Sequence, residues 1–403
     1  MKIITKCLMI LFLLFFSVFA ESRENQKPEW KGKIETENGI KVIKNPREPL
    51  YGEIKLDLQE DLNIGREDDD NYFFYRFVDI TVDSTGNIYV SDLTNYRVQK
   101  FDKNGNYILT IGRKGQGPGE FQQPSSLCID NKDRICILEQ RRIHIFDMGG
   151  QFIKGIALQH GLESLNFTKT GDILGKLSTR INKDEMKEEI ALFSPEGKQL
   201  TSIMSSSLPI INIPDKTAVV GGSIFNPHLL FIPWSKGSAI YGHSSEYKLF
   251  FLDSLGQVSL IVQKEEGLEA ITSKEKKEYF QDIYESEKKS KLRFPNRKTL
   301  SVSEIEKAYA LPKYKPFFML LLSDDEGNVY VVRMPPVNIK EKRSVEFGFF
   351  NAEGFYLYKI KMPFLPRLIK NGLIYRQQWD AKKGLFFIRR YKIKNWEQIK
   401  AGI

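Results

Sequence analysis

One stretch constrains the fold more than any other, because residues 64–150 state nearly the same pattern twice. Ile64-Gly65-Arg66, Phe74, Asp83 and Ile88-Tyr89-Val90 return as Ile111-Gly112-Arg113, Phe121, Asp130 and Ile135-Cys136-Ile137, each pair 47 residues apart. A fixed period of this size belongs to stacked or radially arranged copies of one supersecondary unit. Each copy reads as a short apolar strand, a turn closing on glycine, a strand carrying tyrosine, a third strand ending in Phe-Asp, a second glycine turn and a fourth strand. Gly86 and Gly105 supply the positive φ that short hairpin turns need. Alternating β-branched and aromatic positions predict strands packed within sheets.

Four weaker copies follow. The third keeps Gly171-Asp172-Ile173-Leu174 and residues 190–193, the fourth Gly237, Ile240-Tyr241 and 247–252. The fifth keeps Gly327-Asn328-Val329-Tyr330-Val331 and 347–350, the sixth Gly372-Leu373-Ile374-Tyr375 and 385–391. The sixth copy stops after its third strand, while an orphan strand at 54–58 precedes the first. An open edge invites unwanted pairing, so Ile54-Lys55-Leu56 is expected to supply the missing outer strand and close the ring. Residues 265–315 interrupt the pattern between copies four and five. There Thr272-Ser273-Lys274-Glu275 reads as a capped helix start, Tyr279-Phe280 and Ile283-Tyr284 recur at helical spacing, and 303–309 suggests a second short helix.

The chain opens with Lys2, Lys6 and an apolar run over 8–20, ending Val18-Phe19-Ala20. This predicts a secretory signal peptide over 1–20, cut after Ala20. Cys7 precedes the run, so no lipid-attachment cysteine is present, and a secreted or periplasmic address follows. Residues 21–50 are polar with Pro28, Pro46 and Pro49 and read as a mobile leader. Residues 51–403 form the repeat domain, and no other run approaches a membrane span. Net charge is +9, and 359–400 carries twelve Lys or Arg against Asp380 and Glu397. A basic face attracts anionic surfaces, but no nucleic-acid-binding signature accompanies it, and the excess reads mainly as a solvated exterior. Cys128 and Cys136 flank a short turn and fall opposite each other on adjacent strands. A hydrogen-bonded pair there favours two buried thiols over a disulfide.

The segment Gly115-Gln116-Gly117-Pro118-Gly119-Glu120-Phe121-Gln122-Gln123-Pro124 resembles the opening of NHL repeats. Residues 83–92 resemble the repeat's centre and 95–105 its close. The resemblance implies an all-β, six-bladed β-propeller of the bacterial secreted type, with a central tunnel, ligands at one mouth and no implied catalysis. Polar residues near the starts of inner strands are expected to face that mouth: Arg76, Asp79, Ser126, Glu163, Asn166, Asn226, His228 and Arg367. Calcium-holding propellers of the gluconolactonase type share this architecture, and Asp79, Glu163 and Asn226 are the oxygen donors that could gather around such a cation. No metal-like histidine pair, Gly-x-Ser-x-Gly or phosphate loop occurs, and the glycine-rich loop precedes a strand, not a helix. Asp92, Asn95 and Arg97 read as the brace of an inter-strand loop. The sequence favours a non-catalytic, monomeric binding propeller for a protein, peptide or glycan, without a resident cofactor. A calcium-dependent lactonase, esterase or lyase is the alternative.

Overall fold

The computed structural model describes residues 28–211, 219–220, 223–293, 300–334 and 344–402. The expected signal segment and its cut after Ala20 lie outside the described residues. Six antiparallel sheets follow one another along the chain. Blade one is Phe77–Val82, Ile88–Asp92, Arg97–Phe101 and Tyr107–Ile111. Blade two is Ser126–Ile129, Ile135–Glu139, Arg142–Phe146 and Phe152–Ala157. Blade three is Leu162–Phe167, Ile173–Arg180, Glu185–Phe193 and Gln199–Ile211, with a short fifth strand at Val219–Val220. Blade four is Leu229–Pro233, Ala239–His243, Lys248–Leu252 and Val258–Lys264. Blade five is Leu320–Ser323, Val329–Val332, Val345–Phe350 and Tyr356–Met362. Blade six is Leu368–Lys370, Leu373–Asp380 and Leu385–Ile393. The first strands touch in cyclic order, one to two and onward through six to one, which closes a ring around a tunnel.

Every first strand starts on the same rim, so second strands end there and third strands start there. That rim is called the mouth. On the opposite rim the turns share one device. Asp83 Oδ1 accepts the backbone N–H groups of Thr85 and Asn87, both at 2.9 Å. Asp102, Asp130 and Asp253 hold their own turns in the same way. Gly86 (φ 90°) and Gly105 (φ 82°) close two of these turns in the left-handed region, as the sequence predicted. Cys128 and Cys136 face each other across blade two as free, buried thiols. Between blades, apolar side chains fuse into shared cores, such as Ile64, Phe74, Ile88, Phe101, Tyr375 and Ile388 at the junction of six and one.

Ring closure differs from expectation in its residues. The fourth strand of blade six is Leu58–Ile64, antiparallel to Leu385–Ile393. Ile54-Lys55 instead lies in Glu53–Lys55, which adds a parallel fifth strand to blade five. Residues 33–45, read from composition as part of a mobile leader, form a hairpin of Lys33–Glu37 and Ile40–Asn45. Its second strand runs parallel to the outer strand of blade four. The chain's opening is therefore a strap that binds blades four, five and six in turn. Its first strand is exposed along its whole length, so it needs no apolar face, and a polar composition is compatible with it.

The strap also pairs with part of the late basic charge. Arg389 pairs with Glu60 at 2.9 Å, Arg390 with Asp61 at 3.0 Å and Lys361 with Glu53 at 2.8 Å. The insertion forms helices Ser273–Arg293 and Val302–Ala308. Thr272 and Glu275 cap the first reciprocally, and Ser301 and Glu304 the second. Phe280, Ile305 and Tyr309 bury against Ile211 and Phe225, making a small second core on the mouth side. Among the described residues no helix is long and apolar enough to cross a membrane.

Candidate functional site at the tunnel mouth

Three of the expected residues converge. Asp79 Oδ2 accepts from the Ser126 hydroxyl at 3.1 Å and from the Leu127 N–H at 2.9 Å, and its Oδ1 meets Arg367 Nη2 at 3.0 Å. Blades six, one and two are thereby pinned together at the mouth. Glu163 and His228 join a second assembly at the seam of blades three and four. Lys176 bridges Glu163 at 3.1 Å and Glu188 at 2.8 Å. Glu188 also lies 3.5 Å from His228 Nδ1 and accepts the Leu229 N–H at 2.8 Å. Burial alone would raise the Glu188 carboxyl, but His228, Lys176 and Leu229 outweigh it and hold it down at about 2.

The other expected residues do not join these groups. Asn166 belongs to the far half of the tunnel, where its amide donates to the Ser238 carbonyl in the turn of blade four. The register explains this, because Asn166 is the fifth residue of a strand that starts at the mouth. Asn226 sits in the approach to blade four, its N–H bonded to Ser223 O at 3.0 Å. Asp79, Glu163 and Asn226 therefore do not gather: one carboxylate takes Arg367, the other Lys176, and the amide lies elsewhere. Among the described residues no cluster of three or more His, Cys, Asp or Glu has metal-holding geometry. Arg76 is exposed and has no ion pair among the described residues.

Sequence reasoning missed three features here. Lys176 lies mid-strand, paired with Ser164 and Ile190, and Glu188 lies just past the end of the inner strand; charges interrupting an apolar alternation were the available signal. Glu139 accepts from the N–H groups of Gln122 and Gln123 and lies 3.3 Å from His144, which is buried among Phe121, Phe146 and Phe152. The third feature is an aromatic pair. Tyr75 and Trp379 stand 57% and 44% exposed at the junction of blades six and one. Their rings meet edge-on at 6.3 Å, and Phe386 backs Trp379 at 4.8 Å. Trp379 lies near the mouth end of Leu373–Asp380, a strand longer than its inner neighbour.

The loop braces behave as read. Asp92 accepts from Asn95 Nδ2 at 2.9 Å and Arg97 Nε at 3.1 Å. In the glycine-rich loop, Glu120 takes the Gly117 N–H at 3.0 Å and the Gln116 N–H at 3.2 Å. The protein's own carboxylate thus fills the N–H groups that an anion would seek.

Residues 69–171 match a family model described as a 6-bladed beta-propeller. A protein of Bacteroides fragilis named "putative exported protein" superposes with a TM-score of 0.52 at 11% identity, over 88% of this chain and 99% of its own. This is a six-bladed β-propeller. A second Bacteroides structure, from Bacteroides vulgatus, aligns at 14% identity over 84% of this chain and 98% of its own, with a TM-score of 0.47. Protein lin-41 of Caenorhabditis elegans is 40% identical over 48 residues, which is 11% of this chain and 4% of that protein. In the propeller, then, the mouth combines carboxylates that already have partners with an exposed aromatic pair and, among the described residues, an arginine without an ion pair.

Proposed function

We propose that the protein is an exported, non-catalytic binding propeller that recognises a protein, peptide or glycan at the tunnel mouth. The observation that carries this reading is the exposed Tyr75–Trp379 pair beside Arg76. Aromatic side chains and arginine concentrate binding energy at recognition surfaces, and a ring already braced from behind loses little freedom on contact. The acids of the mouth favour binding over proton transfer. A general acid or base works best with a pKa near the operating pH, whereas Glu188 sits far below it and Asp79 is spent on Arg367, Ser126 and Leu127. Export rests on the leader over 1–20, and the mature chain should begin at Glu21 when secreted protein is sequenced from its amino end.

Calorimetric titration with panels of neutral and acidic oligosaccharides and of peptides tests the reading. A binder is expected to lose at least about tenfold in affinity on Trp379→Ala and on Tyr75→Ala. Binders that ignore both substitutions would move recognition away from this surface.

A further inference from the structure

Away from the tunnel, the seam between blades four and five holds a cavity of about 90 Å³ on the mouth side. That is room for several waters or one small ion. Its floor is Lys264, whose side chain is 4% exposed and whose Nζ lies 5.0 Å from the Tyr247 ring and 5.1 Å from the Tyr356 ring. Lys264 also pairs with Glu266 at 2.6 Å. The rim carries Arg333 and Arg47, the latter from the strap. Both lie 3.9 Å from Glu266.

Two features of this cavity bear on what it would hold. Four cations line it: Arg47, Lys264, Arg333 and Lys359. Three carboxylates do, Glu48, Glu266 and Glu346, and Glu269 beyond the lining meets Arg333 at 3.5 Å. In addition, Tyr247 and Tyr356 both line the cavity, and their hydroxyls make no hydrogen bond among the described residues. Both hydroxyls are therefore donors open to whatever occupies the cavity. Gly348 makes room for the Tyr247 hydroxyl, since a Cβ there would stand 3.0 Å from it. The arrangement offers two neutral hydroxyl donors beside the nearly buried Lys264 ammonium and the Arg333 guanidinium.

We propose that this cavity binds a small oxyanion, a carboxylate or a phosphate-sized group, held by the hydroxyls of Tyr247 and Tyr356 and by Lys264 and Arg333. Because the strap supplies Arg47 and Glu48, an occupied cavity also fastens the strap to both blades. This site is independent of recognition at the tunnel mouth.

Thermal unfolding of the full mature chain, titrated with sodium acetate or sodium phosphate against sodium chloride at matched ionic strength, tests the proposal. Phosphate stabilises many proteins by general exclusion, so the diagnostic result is saturation. Acetate or phosphate should raise Tm by a few degrees to a plateau. A plateau with acetate alone identifies a carboxylate site, with phosphate alone an inorganic one, and with both a shared oxyanion site. The Tyr247→Phe, Tyr356→Phe double variant should weaken the response at least about tenfold. Arg333→Gln on the rim serves the same purpose if circular dichroism shows that the double variant fails to fold. The absence of a saturable shift with either anion, or an unchanged shift in the folded variant, would overturn the proposal.

Discussion

Asn45 shows how much a single side chain can organise. Its Oδ1 accepts from Trp30 Nε1 at 3.2 Å and from the Tyr356 N–H at 2.8 Å, and its Nδ2 donates to Gly354 O at 2.8 Å and Gln263 O at 3.2 Å. One buried amide therefore ties the strap to blades four and five. Asn45→Ala strands several buried partners, and urea unfolding should show a loss of roughly 2–4 kcal/mol. Glu188 gives a pH signature. Its folded pKa of about 2 lies below the ordinary 4.5, so its contribution is present above that range and lost as pH falls through it. That contribution is on the order of 3 kcal/mol. Stability measured from pH 5 down to pH 2 should fall more steeply in the native chain than in Glu188→Gln. Asp83 and Asp324 show how context decides a shared motif. Both take an asparagine four residues on and a tyrosine hydroxyl. Burial opposes ionisation at each, but Asp83 gains two further bonds from Thr85 and its pKa is lowered. Asp324 has no threonine two residues on, has Asp325 as neighbour, and its pKa is raised, burial being the largest cause.

Blades one and two were legible because their turns are chemical as well as conformational: an aspartate at the start accepts the N–H four residues on, and the residue just before that close is left-handed, glycine at 86, 105 and 150 and Asp133 at the first turn of blade two. The first strands of blades four and five were not. Leu229–Pro233 and Leu320–Ser323 follow long connections without that turn chemistry upstream, and only their later strands carry it. The strap was misread for a different reason. A strand laid on the outside of a finished blade has solvent on most sides, so Lys33–Glu37 has no apolar alternation to reveal it. The closing strand Leu58–Ile64 carries Glu60 and Asp61 mid-strand, and these acids make sense only against Arg389 and Arg390. Of the mouth, Asp79, Ser126 and Arg367 were foreseeable from their place at strand starts. The aromatic pair was not, since Tyr75 and Trp379 are 304 residues apart and meet only through closure. The insertion behaves as a satellite core, so Phe280→Ala should admit protease between 265 and 315 while the ring's unfolding midpoint moves little.

For the whole molecule, the strap divides into a fastening and a closure. A chain beginning at residue 46 loses the hairpin on blade four and the Asn45 bonds to Gly354 and Tyr356 of blade five but keeps the closing strand. It should remain a closed monomer with a lowered Tm, read by light scattering and calorimetry. A chain beginning at residue 66 also loses Leu58–Ile64, leaving Leu385–Ile393 as an open edge. It should self-associate. The path of the strap also sets an order of assembly. Its partners are the outer strands of blades four and five and the third strand of blade six, so Leu58–Ile64 must wait for the last blade. Contacts so distant along the chain form late and slowly. The wheel can be locked only after its final spoke is in place, and until then the last length of the belt, Leu58–Ile64, has nothing to buckle to.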